Sequence, residues 1–354
     1  MFLRYKYLFT CLLFFTTNLL WADINYSFEK VGASHVHIII FDPNKYDLTP
    51  VTANDIRGNR KETVKTIAKN TGALAAINGG FFHLNSSAVG ILKISGHWLG
   101  IAYKPRSAMA WNNKEQFLFD YPDTKSFIKT QSGVLKINSM NNTKAKNKSI
   151  LFSQPLHRQD IISPYQSCYI AFSDSKLVNY SQNALEIPEN GYVYYSPDKN
   201  LCSSENIKNM GYFKLDIHVT PTENKDLNNW NSMPFIMGGI PMLVYDGKLI
   251  DNSRNNKVQP NFANKRHGRT AAGYLNNNNV ILVIVEEDPF EKDSGMSIIE
   301  LATFMLAKDC KYAINLDGGS STSMFLDKKI VKHSTSKGYA NINLVSNALI
   351  VTKK

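Results

Sequence analysis

From Ser34 to Phe41 the chain alternates polar and apolar positions, then runs apolar as far as Asp42-Pro43, which predicts a strand with a turn behind it. Asn59, with Glu62 three residues on, opens a predicted helix; Val64, Ile67 and Ala68 share its inner face and Gly72 closes it. Ala73 to Ile77 reads as a short buried strand that delivers Asn78-Gly79-Gly80-Phe81-Phe82 at its end. From about Lys104 to Trp230, short strand-like runs alternate with Asn, Asp, Ser and Pro, without a long amphipathic helix or an internal repeat. Two polar stretches, Asn138 to Lys148 and Asp251 to Lys265, predict surface loops. Asn85, Asn141 and Asn147 begin sequons, relevant only where the host glycosylates exported chains.

The last third is more regular. Arg269 to Leu275 and Val280 to Val285 flank four consecutive asparagines, residues that tolerate left-handed backbone, so an antiparallel hairpin is expected. Ser297 and Glu300 form a capping box ahead of a helix with Ile298, Leu301, Ala302, Met305 and Leu306 on one face. A strand over Tyr312 to Leu316 ends at Asp317-Gly318-Gly319-Ser320-Ser321, and Thr322 to Leu326 returns as another. The pattern predicts an α+β fold: a mixed, largely antiparallel sheet system with a few packed helices in a single catalytic domain over 73–354, on which an N-terminal strand and helix (23–72) pack.

The first 22 residues carry Arg4 and Lys6, an apolar run from Leu8 to Leu20, and Leu20-Trp21-Ala22 before polar Asp23. This is the pattern of a secretory signal peptide cleaved after Ala22, with an apolar run shorter than the roughly 20 residues that span a bilayer. The mature protein is therefore expected to be secreted or periplasmic, without a membrane span. Cys11 lacks the preceding small residue of a lipobox. Export leaves Cys168, Cys202 and Cys310; Cys168 and Cys202 are the expected disulfide, and Cys310, ending an apolar helical stretch, the expected core residue. Forty Lys plus Arg, two of them in the leader, stand against 29 Asp plus Glu, a mature excess of +9. The basic residues are dispersed among asparagines and match no nucleic-acid motif, which argues against a dedicated nucleic-acid binder and reads as a solvated Lys/Asn-rich surface.

Candidate chemistry gathers where strands end in glycine pairs: Asn78-Gly79-Gly80, Gly238-Gly239 and Asp317-Gly318-Gly319. Such pairs let main-chain N–H groups converge on an anion. Asp317, between a buried Leu316 and the glycines, is the first choice of carboxylate. Arg269 opens a strand beside small residues, and its planar fork suits a phosphate or carboxylate. His267 is a candidate proton donor, and Glu300 is assigned first to the capping box. Glu286, Glu287 and Asp288 read as a solvated strand end, with a divalent cation such as calcium as the alternative. Ser320 and Ser321 suggest a serine hydrolase, but Gly318-Gly319-Ser320-Ser321-Thr322 lacks the second glycine of a nucleophile elbow.

The order Ala76-Ile77-Asn78-Gly79-Gly80-Phe81-Phe82, Gly238-Gly239-Ile240-Pro241-Met242, Arg269-Thr270-Ala271-Ala272-Gly273, Ser294-Gly295-Met296-Ser297-Ile298-Ile299-Glu300 and Asn315-Leu316-Asp317-Gly318-Gly319 resembles the phosphodiester glycosidase domain family over about Ala73 to Val351. The chain departs from it at Glu286-Glu287-Asp288-Pro289, where the family often has Asp-Gly-Arg, and at Ser320, where it has a third glycine. The resemblance implies an α+β hydrolase acting on a sugar joined to a phosphodiester, in a known case releasing N-acetylglucosamine. Carried over by motif, Asp317, Arg269 and Glu300 are the expected catalytic residues. Asn78, Gly79, Gly80, Gly239, His267, Gly318, Gly319 and Ser320 are expected to bind substrate or phosphate. In this reading Arg269 and the N–H groups of Gly318 and Gly319 stabilise the departing phosphate, Asp317 serves the sugar side, and Asn78 bonds a hydroxyl or the phosphate. A catalytically silent exported module that binds anionic glycans and a phosphodiesterase breaking the P–O bond are the alternatives.

Overall fold

The computed structural model describes residues 19–21, 24–53, 60–102, 104–113, 116–145, 147–154, 156–223, 228–250, 258–288, 290–291, 293–331 and 344–354. Most of the expected leader, Asn59 and Pro289 lie outside the described residues. Strands dominate, almost all paired antiparallel, so the architecture is a sheet-rich α+β.

An eight-stranded sheet runs in the order Leu19–Trp21, Ile24–Val31, Ser34–Phe41, Val280–Val285, Arg269–Leu275, Cys310–Asn315, Met242–Tyr245, Lys248–Leu249. A five-stranded sheet holds Lys329–Val331, Met324–Leu326, Ala75–Asn78, Asn347–Lys353 and Tyr46–Thr52; another holds Phe117–Asp120, Ala108–Trp111, Phe235–Gly238, Leu92–Ile94 and His97–Gly100. Alternate residues of all three, among them Ile39, Ile77, Trp111, Leu282, Ile314 and Leu349, share one buried apolar cluster. The N-terminal strands are built into these sheets: Ser34–Phe41 pairs with Val280–Val285, and Tyr46–Thr52 with Asn347–Lys353.

Helices cover the outer faces. Ile298–Ala307 packs Leu301, Ala302 and Met305 against Ala271, Val283 and Ala313. Val64–Asn70 packs Val64, Ile67 and Ala68 against Ala76, Phe325 and Ala348. The middle of the chain supplies a further apolar body, in which strands such as Cys168–Ser173 and Lys214–Thr220 close over the outer face of Ala108–Trp111. Cys168 and Cys202 are bridged there, with Cα atoms 5.2 Å apart. Cys310 is a buried free thiol, pushed by burial to about 12, and stays protonated at neutral pH.

The Arg269–Leu275 and Val280–Val285 hairpin forms, with Asn278 at φ 67°. The capping box forms as well: Glu300 N–H donates to Ser297 Oγ, and Ser297 N–H to Glu300 Oε2 at 2.8 Å. Three expectations are corrected. The first helix starts at Val64 rather than near Asn59, because Glu62 and Thr63 pair with Leu344–Val345 and Thr63 is the N-cap, its hydroxyl accepting from Thr66 N–H. The stretch from 138 to 148 is not wholly surface: Met140 and Asn141 are buried, and the Asn141 amide donates to the Leu99 carbonyl and the Ser153 hydroxyl. The polar stretch ending at Lys265 contains a one-turn helix, Pro260–Asn264, with Pro260 at its first position. Among the described residues no helix is long and apolar enough to cross a membrane.

Candidate active site

Three glycine pairs distant in sequence meet at one end of the sheets. Asp317 N–H donates to the Gly79 carbonyl at 3.1 Å, Gly319 N–H to the Gly268 carbonyl at 2.7 Å, and Ile240 N–H to the Asn315 carbonyl at 2.8 Å. These contacts need glycine because backbone lies where a side chain would start. A Cβ on Gly80 would sit 2.9 Å from the Gly238 carbonyl oxygen, one on Gly239 2.5 Å from that of Asn315, and one on Gly318 2.7 Å from that of Gly268.

The glycine amides are engaged within the protein. Gly79 N–H donates to the Asn347 carbonyl, Gly80 N–H to Asn347 Oδ1, Gly238 N–H to the Ile91 carbonyl and Gly239 N–H to that of Ser107. Gly318 N–H turns back to Asp317 Oδ1 at 3.0 Å. With Gly319 bonded to Gly268, all six amides have protein acceptors. They close the loops on one another rather than presenting N–H groups to an anion.

Asn78 is fully buried at the end of its strand. Its Nδ2 donates to the Asp317 carbonyl at 2.7 Å, while Oδ1 accepts from the Thr270 hydroxyl and from Ser323 N–H. Asn78 thereby joins three strand ends. Asn347, which the sequence reading missed, plays the matching part for Gly80, accepting from its N–H and donating to its carbonyl.

Arg269 is also buried and internally engaged. Nε donates to the Met296 carbonyl at 2.8 Å, and Nη2 to those of Phe262 and Lys265 at 3.0 and 2.7 Å. The guanidinium lies 5.0 Å from the Phe262 ring, and Phe262 in turn contacts Phe81. Burial lowers its pKa to about 10, with Glu287 opposing, so it remains charged at neutral pH. The fork fixes the Pro260–Asn264 turn to the sheet through Nε and Nη2, since three main-chain carbonyls point at it.

Asp317 stands at the meeting point, partly buried. Burial raises its pKa, and hydrogen bonds from Ser321 and from Gly318 N–H pull it back. Ser320 is exposed beside it on the 3-10 turn Gly319–Ser321. His267 pairs through Nδ1 with Glu287 Oε2 at 3.3 Å, and the same oxygen accepts from Gly268 N–H at 2.9 Å. Glu300 is tied to Ser297 and ion-paired with Arg266. Burial works to raise its pKa, but these partners hold it below the ordinary value. The three acids after the Val280–Val285 strand diverge: Glu286 faces His37 at 3.2 Å, Glu287 serves Gly268, and Asp288 accepts from Phe290 N–H. Among the described residues no group of three or more His, Cys, Asp or Glu side chains is arranged to hold a metal ion.

Next to Gly238 and Gly239 opens a cleft of about 120 Å³ lined by residues including Phe81, Ile91, Lys104, Arg106, Gly238 and Ile240. Gly238 and Gly239 form part of its wall. Lys104 and Arg106 were not singled out in the sequence, because only the closure of their segment on Gly238-Gly239 makes them neighbours of the site. A partly apolar cleft with cations on its wall can hold an anion.

The sequence model of the family described as phosphodiester glycosidase matches residues 167–352. The fold is similar to that of a hypothetical protein from Synechocystis, with TM-score 0.74 and 23% identity over 96% of this chain and 64% of that one. The chain thus spans less than two thirds of the Synechocystis protein. It is similar too to a Burkholderia pseudomallei protein named "Putative exported protein", with TM-score 0.67 and 18% identity over 92% of this chain and 74% of that one. The catalytic domain of zebrafish N-acetylglucosamine-1-phosphodiester alpha-N-acetylglucosaminidase aligns at TM-score 0.46 and 14% identity over 97% and 83% of the two chains. No curated protein matches the chain.

Proposed function

Because the chain belongs to the phosphodiester glycosidase family, we propose that it is an exported hydrolase that frees a sugar from a sugar 1-phosphodiester of a glycan or cell-envelope polymer. The observation that supports this reading is the meeting of three glycine-paired strand ends around Asn315 and Asp317, with a cleft at Gly238 and Gly239 whose wall carries cationic residues. In the reaction the bond between the anomeric carbon and the bridging oxygen breaks, and its electron pair leaves on the phosphate. Water supplies hydroxide to the anomeric carbon, and its proton is released. The products are the free sugar and a phosphate monoester. A phosphate monoester leaves readily, so positioning and charge stabilisation carry more of the work than protonation does.

Asp317 is the acid group on the sugar side, as nucleophile, base for water or electrostatic support. Arg269 and Asn78 act through the loops they fix: Asn78 holds the Asp317 main chain, and Arg269 holds Phe262 against Phe81. Glu300 and His267 are assigned to loop anchoring, since each is engaged with Arg266 and Ser297 or with Glu287.

The test is incubation of the mature protein with a panel of sugar 1-(methyl phosphates) in ¹⁸O-labelled water. Release of sugar carrying the label supports the proposal. Label in the phosphate would instead identify a phosphodiesterase, and saturable binding without release a silent glycan-binding module. Asp317→Asn should reduce release by at least about 100-fold, the usual order for a residue acting on the reacting atoms.

A further inference from the structure

The glycine amides, Asn78 and Arg269 are bonded within the protein, and the charged side chains that line the cleft are Lys104 and Arg106. We propose that Lys104 and Arg106 form the phosphate subsite, so that the substrate lies with its sugar over Asp317 and its phosphodiester along the cleft. The inference rests on the phosphodiester reading above.

Lys104 and Arg106 are the ionisable side chains among the described residues lining the cleft, and both are cationic. Much of the remaining wall is apolar, including Phe81, Ile91 and Ile240. In such surroundings a cation attracts an anion more strongly than in water. Arg106 Nε is buried without a hydrogen-bond partner. A buried donor left in this way calls for an acceptor, and a phosphate oxygen supplies one. The arginine fork gives direction, and Lys104 adds a mobile point charge at the exposed side.

The cleft is connected to Asp317 through one short segment. Asp317 N–H is bonded to the Gly79 carbonyl, and Phe81, two residues on, lines the cleft. Two residues reach at most about 7 Å, which keeps the cleft within one short segment of the strand end bonded to Asp317. The charge balance fits too. A diester carries one negative charge and the departing monoester gains a second, so contacts from Lys104 and Arg106 strengthen as the bond breaks. Such contacts act on kcat as well as on KM.

The experiment uses the mature protein, Lys104→Ala, Arg106→Ala, Arg106→Lys and the double alanine variant. Each is checked for an unchanged thermal midpoint. Two readouts are taken: hydrolysis of sugar 1-(methyl phosphates), and binding of inorganic phosphate by titration calorimetry, which needs no turnover. The expected result is a fall of about ten- to a hundredfold in kcat/KM and in phosphate affinity for each alanine variant, as for loss of a hydrogen bond to a charged group. Arg106→Lys recovers part of both, and the methyl glycoside of the same sugar binds all the proteins alike. A folded double variant with wild-type turnover and phosphate affinity overturns the subsite while leaving the hydrolase reading intact. Phosphate binding that needs both cations, with no sugar released from any diester, upholds the subsite as an anion site and sinks the hydrolase reading. Absence of both binding and release in the wild type overturns the two together.

Discussion

The side chain of Asn78 holds the main chain of Asp317, its Nδ2 donating to the Asp317 carbonyl at 2.7 Å from a fully buried position. The same amide oxygen reaches Thr270 on the eight-stranded sheet and the Ser323 main chain. One residue thereby registers two sheets and the loop that carries the acid group. Asn78→Ala is expected to lose about 2–5 kcal/mol of stability, the range for breaking a buried hydrogen-bond network. Asn78→Asp should be no better, because it sets a carboxylate oxygen against the Asp317 carbonyl. Urea unfolding of the two variants checks this; a wild-type midpoint for Asn78→Asp would show that the bond does not matter.

Asp317 gives a pH dependence of definite sign. Burial raises its pKa above the ordinary 3.8, against hydrogen bonds from Ser321 and Gly318. The folded protein therefore binds this proton more tightly than the unfolded chain. The stability this confers is complete below 3.8 and is lost as pH rises through the folded pKa. Asp317→Asn has no such proton to lose, so its stability relative to wild type should improve between acidic and neutral pH. Where the carboxylate is the working form, the acid limb of kcat/KM lies above the usual aspartate range. Denaturant midpoints from about pH 3 to pH 7 test the first statement, and a variant difference that stays flat would refute it.

Arg269 separates two roles that its position in the sequence cannot. A phosphate ligand would show reduced phosphate affinity on substitution; a loop anchor would not. Three donors on main-chain carbonyls predict the second outcome. Arg269→Lys should destabilise by about 2–4 kcal/mol, because one ammonium cannot satisfy carbonyls spread around a planar fork. It should also lower kcat/KM through the displaced Phe262 and Phe81, while inorganic phosphate binds the folded variant as it binds wild type. Loss of phosphate affinity without loss of stability would return Arg269 to the substrate.

The local features of the fold were legible because they rest on short-range rules. The Asn-rich hairpin, the Ser297 capping box and the buried Ala75–Asn78 strand follow from turn chemistry, caps and apolar runs. The first helix starts later than its capping pattern predicts because Glu62 pairs with Val345, far along the chain, and pairing overrides the cap. The same limit applies at the site. The glycine pairs announced a meeting of loops, but whether their amides face a ligand or one another depends on the partner segment. Asn347 and Arg106 carried no local signal, since each matters only through what the folded chain brings beside it.

The glycines themselves divide into two kinds, and substitution should separate them. At Gly239 and Gly318 the obstacle is space, for a Cβ would lie 2.5 and 2.7 Å from carbonyl oxygens of Asn315 and Gly268, atoms fixed in paired backbone. At Gly319 the obstacle is conformation alone: φ is +58° and nothing lies within 4 Å of an added Cβ. Asparagine tolerates that region, and the N–H bond to Gly268 would survive the change. Gly239→Ala and Gly318→Ala are therefore expected to lower the thermal midpoint by several degrees and to reduce sugar release by about tenfold or more, through displacement of the Asp317 loop. Gly319→Asn should fold with a midpoint near that of wild type and keep most of its activity. Thermal melts and turnover of the three variants side by side decide it, and an intact Gly239→Ala enzyme would mean that the loops are not packed as tightly as the contacts require.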